Sequence, residues 1–98
     1  MEHREAFAKA LRALRKHKGL TQEDFDEFSS RTYISLLERA QKSPTLDKIN
    51  ELAQVLGIHP LTLLALSYHY EQPRRSLDAL WSKVEKEILD TVESSSSN

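Results

Sequence analysis

Two glycines and three prolines in 98 residues leave little to interrupt a helix, and this scarcity constrains the fold more than any other feature of the sequence. Apolar residues recur every three or four positions instead of alternating, which is the spacing of a helix face. The expected class is all-α, with the few breakers acting as punctuation. Gly19 closes a first helix in which Phe7, Ala10, Leu11 and Leu14 share one side, while Lys9, Arg12, Lys16 and Lys18 crowd the later turns, where cations suit the helix dipole. Thr21, with Asp24 three residues on, makes an approximate capping box for a short acidic helix that carries Phe25 inward and ends near Phe28. Ser29 and Ser30 break the pattern, and Ser30 caps a helix over 31–39 with Ile34 and Leu37 as its inward pair. Pro44 forces an extended link; Thr45 caps a fourth helix with Leu46, Ile49, Leu52, Ala53 and Leu56 on its apolar side, and Gly57 ends it. Pro60, preceded by His59, suits a first helical position, and Leu61, Leu64, Ala65 and Tyr68 form the stripe expected of a fifth helix reaching residue 70.

Beyond that point the composition changes. Glu71, Gln72, Pro73, Arg74 and Arg75 have the character of a linker, after which Ser76 caps a sixth helix. Its Leu77, Leu80, Trp81, Val84, Ile88 and Val92 form one apolar seam opposite Asp78, Lys83, Glu85, Lys86 and Asp90. The expected organisation is a domain over 1–70, a linker and amphipathic helix over 71–93, and a disordered polar tail over 94–98. Amphipathicity says only that something covers the seam. Either the helix pairs with its twin in a homodimer, or it folds back over its own domain, with Trp81 the largest apolar surface in both cases.

Several chemistries find no footing. The absence of cysteine excludes disulfides, Cys-ligated zinc and a thiol nucleophile, and fits a reducing cytoplasm, the expected location. The longest apolar run, Leu63, Leu64, Ala65 and Leu66, is far short of the ~20 residues a membrane span needs, so no membrane association is expected. His3, His17, His59 and His69 do not pair at helical ligand spacing, no Ser, His and acid set stands out, and no glycine-rich phosphate loop occurs. The expectation is a protein without enzyme activity, metal, cofactor or small-molecule ligand.

Charge is informative in its distribution. The net charge of −1 argues against holding nucleic acid by bulk positive charge. Yet residues 1–20 hold six basic and two acidic side chains, 21–28 hold four acidic and none basic, and 29–48 hold four basic and two acidic, so an anionic partner would meet alternating ground. Two short helices joined by a tight turn, the second headed by small polar and basic residues, form the skeleton of a helix-turn-helix. With Arg31 at zero and ~100° per residue, Ile34 and Leu37 fall at about 300° and 240°, while Arg31, Ser35, Arg39, Thr32 and Leu36 fall between about 0° and 140°. Arg reads guanine bidentately, Ser and Thr contact bases or phosphates, and an apolar residue touches the thymine methyl. The same face also suits simple solvation, and periodicity does not choose between the two.

Five blocks in order decide the matter further. Leu11-Arg12-Ala13-Leu14-Arg15, Gly19-Leu20-Thr21-Gln22-Glu23-Asp24-Phe25, Ile34-Ser35-Leu36-Leu37-Glu38-Arg39, Ser43-Pro44-Thr45-Leu46 and Ala53-Gln54-Val55-Leu56-Gly57-Ile58 together resemble the Xre/Cro family of bacterial and phage helix-turn-helix regulators, over about residues 5–66. The resemblance implies a five-helix repressor-like helix-turn-helix domain with an additional C-terminal helix, and double-stranded DNA as partner. It implies base reading by Arg31, Thr32, Ser35 and Leu36. It implies phosphate contacts from Thr21, Gln22 and Ser30 at helix amino ends and from Arg39, Gln41, Lys42 and Ser43 in the following loop. Arg15 and Glu38 match a pair that joins the first helix to the reading helix in many members; a phosphate contact by Arg15 is the alternative. Three departures stand out. The turn before the reading helix is two residues short and lacks its glycine, Asp26 stands where a small residue is usual, and Ala40 stands where glycine usually stops the helix. Asp26 is expected to turn to solvent, with Phe28 filling the space. The function implied is a DNA-binding transcription regulator, expected to be a homodimeric repressor on an inverted-repeat operator. The alternative is an antitoxin-like protein-interaction module on the same fold, with DNA contact secondary.

Overall fold

Helix ends in this chain are set by local hydrogen bonding. In the computed structural model, which describes residues 1–96, α1 covers His3–His17, a 3-10 turn covers Gln22–Phe25, and α2, α3, α4 and α5 cover Arg31–Glu38, Leu46–Leu56, Pro60–Glu71 and Leu77–Ser96. Ser30 Oγ accepts the Tyr33 N–H at 3.1 Å, Thr45 Oγ1 the Lys48 N–H at 3.1 Å, and Ser76 Oγ the Ala79 N–H at 3.0 Å, so three helices start on hydroxyl caps. His59 does the same for α4 ahead of Pro60, its Nδ1 accepting the Leu61 N–H at 2.9 Å. At the far ends α1, α2 and α3 each close with the paired reverse bonds of a Schellman stop, for example Gln41 N–H to Leu36 O at 2.9 Å and Ala40 N–H to Leu37 O at 3.2 Å. The left-handed residue is Gly19 or Gly57 in two of these stops and Ala40, at φ 60°, in the third. Ala40 therefore carries the strain of a side chain in a conformation that glycine adopts without penalty.

The core lies where α1 packs along α4, α3 packs on α4, and α2 and the 3-10 turn close the remaining side. Phe25, Leu11, Ile34, Leu37, Leu52 and Leu63 are wholly buried at its centre. Burial of each such side chain contributes about 1.5–3 kcal/mol.

The structure corrects four readings. The short acidic helix is a 3-10 turn followed by an irregular turn at 26–29, in which Asp24 N–H, Asp26 N–H and Phe28 N–H each reach back three residues. Leu46 does not join the apolar side of α3; it is 72% exposed at the first position of that helix. The stripe assigned to α4 is rotated: Leu63 and Ser67 are buried, whereas Leu61 and Tyr68 are exposed. Because α4 is apolar nearly all round, its periodicity could not choose a face. Finally, α5 runs past the seam to Ser96, so 94–96 continue the helix instead of starting a tail; residues 97 and 98 lie outside the described part.

One helix stands apart from the rest. α5 packs along none of the others, and the chain has a radius of gyration of 15.2 Å and extents of 47 × 31 × 23 Å, against about 13 Å expected for a compact domain of this length. Its first turns border a groove of about 840 Å³, where Leu77 and Trp81 face Leu14, Leu61, Ala65 and Leu66 without closing on them. Trp81 is 45% exposed, and Leu77, Ile88, Leu89 and Val92 are exposed as well. No single helix among the described residues is long and apolar enough to cross a membrane.

Candidate nucleic-acid interface

The sequence puts Ile34 and Leu37 on one side of α2, and both are fully buried, which fixes the direction of the opposite side. On that side Arg31 and Thr32 are exposed and Ser35 and Leu36 half-buried. Ser30 caps the amino end of the helix and Arg39 follows its carboxyl end. The four side chains matched to base reading therefore share one accessible face, on a helix of eight residues whose two ends are both hydrogen-bonded.

A buried ion pair holds this helix from behind. Glu38, at 3% exposure, accepts Arg15 Nε at 2.7 Å and Nη2 at 2.9 Å, a bidentate arrangement between α1 and α2. Arg15 Nη1 also donates to Leu20 O at 3.1 Å, and Arg12 Nη1 to Glu38 O at 3.3 Å. The hydrogen bonds that Arg15 donates to Glu38 push the Arg15 pKa further up, against the opposing effect of burial and with help from the carboxylate charge. With the folded value raised, the arginine's contribution to stability is complete below the ordinary arginine range and is lost only as pH climbs through it. The arginine therefore stays charged throughout the neutral range and fixes the setting of α2 on α1.

Gln22 is placed differently from the role its position implies. Its Nε2 donates inward to Glu38 Oε1 at 3.2 Å, making it a third member of the buried cluster. Thr21 is similarly engaged, since its N–H and hydroxyl both donate to Asp24 Oδ2, at 2.7 and 3.2 Å. Asp26 is exposed, and Phe28 is half-buried outside the central core, so Phe28 does not fill the space.

The loop after α2 is basic and braced by an aromatic ring. Lys42 Nζ lies 5.6 Å and Lys48 Nζ 5.3 Å from the Tyr33 ring centroid, both within cation–π range. Lys48 Nζ also donates to Phe28 O at 2.8 Å and pairs with Glu51 at 2.9 Å. Arg39 is folded back along α2, with Nε donating to Ser35 Oγ at 3.2 Å and Ser35 O at 3.3 Å. Gln41 and Ser43 are exposed beside them. At the other end, Arg31 Nη2 makes an ion pair with Glu23 Oε1 of the 3-10 turn.

Sequence reasoning missed Lys48, the inward turn of Gln22 and the partner of Arg31. These contacts join residues 8–20 positions apart across turns, where no periodic signal exists to reveal them.

Comparison with known proteins agrees with this geometry. The helix-turn-helix family model matches residues 11–63, which span α1 from Leu11 through the first turn of α4. A protein of Sinorhizobium fredii (strain NBRC 101917 / NGR234) named "Uncharacterized HTH-type transcriptional regulator y4dJ" is 39% identical over 66 residues, covering 65% of this chain and 86% of that protein. No solved structure matches significantly. With its matched residues forming the capped, outward-facing α2 and the turn that precedes it, the chain belongs to the Xre/Cro-type helix-turn-helix family of DNA-binding transcription regulators.

Proposed function

We propose that the chain is a sequence-specific repressor that binds an inverted-repeat operator as a homodimer, with α2 in the major groove. The observation that carries this reading is the outer face of α2. Arg31, Thr32, Ser35 and Leu36 stand accessible on a helix whose inner face is locked by Ile34, Leu37 and the Arg15–Glu38 pair. A rigid backing matters because base readout depends on bidentate geometry, which a loosely held helix would blur.

The roles divide by chemistry. Arg31 donates to guanine O6 and N7, Thr32 and Ser35 reach base edges or the sugar–phosphate chain, and Leu36 meets a thymine methyl. Lys42, stiffened by the Tyr33 ring, and Arg39, Gln41, Ser43 and Ser30 contact phosphates and set the register of the helix on the duplex. Thr21 and Gln22 already donate to Asp24 and Glu38, so their first role is to brace the motif.

A single reading helix makes few contacts, and two related by a twofold axis would span half-sites about 34 Å apart. The apolar seam of α5, with Leu77, Trp81 and Ile88 exposed and Leu80 and Val84 half-buried, supports pairing with a second copy, and the open groove beside Trp81 leaves room for it. Repression follows from occupancy of the operator, which excludes other proteins from it. The acidic segment with Glu23, Asp24, Asp26 and Glu27 favours a second reading, an antitoxin-like module that binds a protein.

Selection of bound fragments from a random DNA pool at two salt concentrations, with light scattering on the same sample, separates the two. An enriched inverted repeat bound by a dimer, with affinity falling steeply as salt rises, is the expected result. No enrichment from a folded sample overturns the DNA-reading function and favours the protein partner.

A further inference from the structure

The acidic stretch ahead of α2 is the part of the interface that DNA reading leaves unexplained. Asp24 is occupied with the amino end of the 3-10 turn, and Asp26 and Glu27 face solvent. Glu23 is placed differently, because its Oε1 meets Arg31 Nη2 across the turn while both side chains remain more than half exposed. A carboxylate at the head of a DNA-reading helix works against affinity, since it repels phosphate and neutralises the nearest cation. We propose that Glu23 is a specificity-determining residue, which keeps Arg31 for a guanine edge and prevents it from acting as a general phosphate clamp. The inference rests on the DNA-reading function proposed above.

The chemistry lies in what Arg31 meets. A guanidinium carries five N–H donors in one plane, so one edge can remain on Glu23 while another donates in parallel to guanine O6 and N7. The uncharged base tolerates the nearby carboxylate, and the carboxylate in turn fixes the plane of the fork. A phosphate reached by the same arginine would bring its oxygens against Glu23, a like-charge approach well inside the Debye length of ~8 Å. The exposed pair contributes little to folding, so its effect falls on the choice among ligands.

The test compares the full chain with its Glu23→Gln variant, which keeps the shape and removes the charge. Fluorescence anisotropy is measured with the enriched operator duplex and with a random duplex of equal length, at two salt concentrations. The variant is expected to bind random duplex about two- to fivefold tighter, the size of an exposed charge interaction, with a salt slope steeper by about one phosphate contact. The operator gains less, so the ratio of specific to random affinity falls. Glu27→Gln, the same change of charge outside the ion pair, is expected to leave that ratio unchanged. In an Arg31→Ala background the Glu23→Gln change is expected to have no effect on the ratio.

An unchanged ratio in Glu23→Gln, an equal fall in Glu27→Gln, or a persisting effect without Arg31 would each overturn the inference while leaving the DNA-reading function intact. A wild-type chain that prefers no sequence would overturn both.

Discussion

The domain built by α1–α4 and the projecting α5 carry the same kind of apolar periodicity and meet different fates. In the domain, Leu11, Ile34, Leu37 and Leu63 bury one another within the chain. In α5, Trp81, Ile88 and Val92 recur at equally regular spacing and stay exposed. An apolar seam therefore marks a surface that needs covering, and only the fold shows whether the cover lies in the same chain. Under the proposed function the two regions have different jobs: the domain presents a rigid reading face, and α5 offers an interface.

The sharpest way to break this contrast is to remove core volume. Phe25→Ala, which hollows the fully buried centre beneath α2, is expected to cost about 3–5 kcal/mol in urea unfolding. Arg15→Ala should approach the same magnitude, about 3–5 kcal/mol, because it strands a buried carboxylate; urea unfolding again provides the check. Trp81→Ala should act on assembly, leaving the unfolding of the domain nearly unchanged and weakening dimer association by about 2 kcal/mol or more, read by sedimentation at several concentrations. Loss of domain stability without loss of association would mean that α5 covers its own chain. Ala40→Gly is expected to stabilise the domain by about 0.5–1 kcal/mol, since it relieves a left-handed alanine. Leu46→Ser should change thermal stability by less than about 0.5 kcal/mol, the range of an exposed site.

What the residues disclosed in advance follows the same division. Stops and caps were legible because each rests on one or two neighbouring side chains, as at Gly19, Ser30, Thr45, Gly57 and Pro60. The inner face of α2 was legible because Ile34 and Leu37 stand among polar residues. The face of α4 was not, because nearly every side of that helix is apolar and only packing against α1 and α3 selects Leu63 and Ser67. The shortened turn pointed to an unusual geometry, but the collapse of the motif's first helix into a single 3-10 turn was not legible, because the Thr21–Asp24 capping box suits the start of an α-helix equally well. At the interface, the accessible row from Arg31 to Leu36 followed from angle alone, whereas Glu23 on Arg31 and Tyr33 between Lys42 and Lys48 required three dimensions.

The central claim is that the outer face of α2 reads sequence while the loop after it holds phosphate. The most direct measurement compares Arg31→Ala and Lys42→Ala on the selected operator and on random duplex across a salt series. The account predicts that Arg31→Ala loses about 1–3 kcal/mol on the operator and relaxes sequence preference, while Lys42→Ala weakens binding to both duplexes alike and lowers the salt slope by about 1. Equal losses on both duplexes for both variants would contradict it.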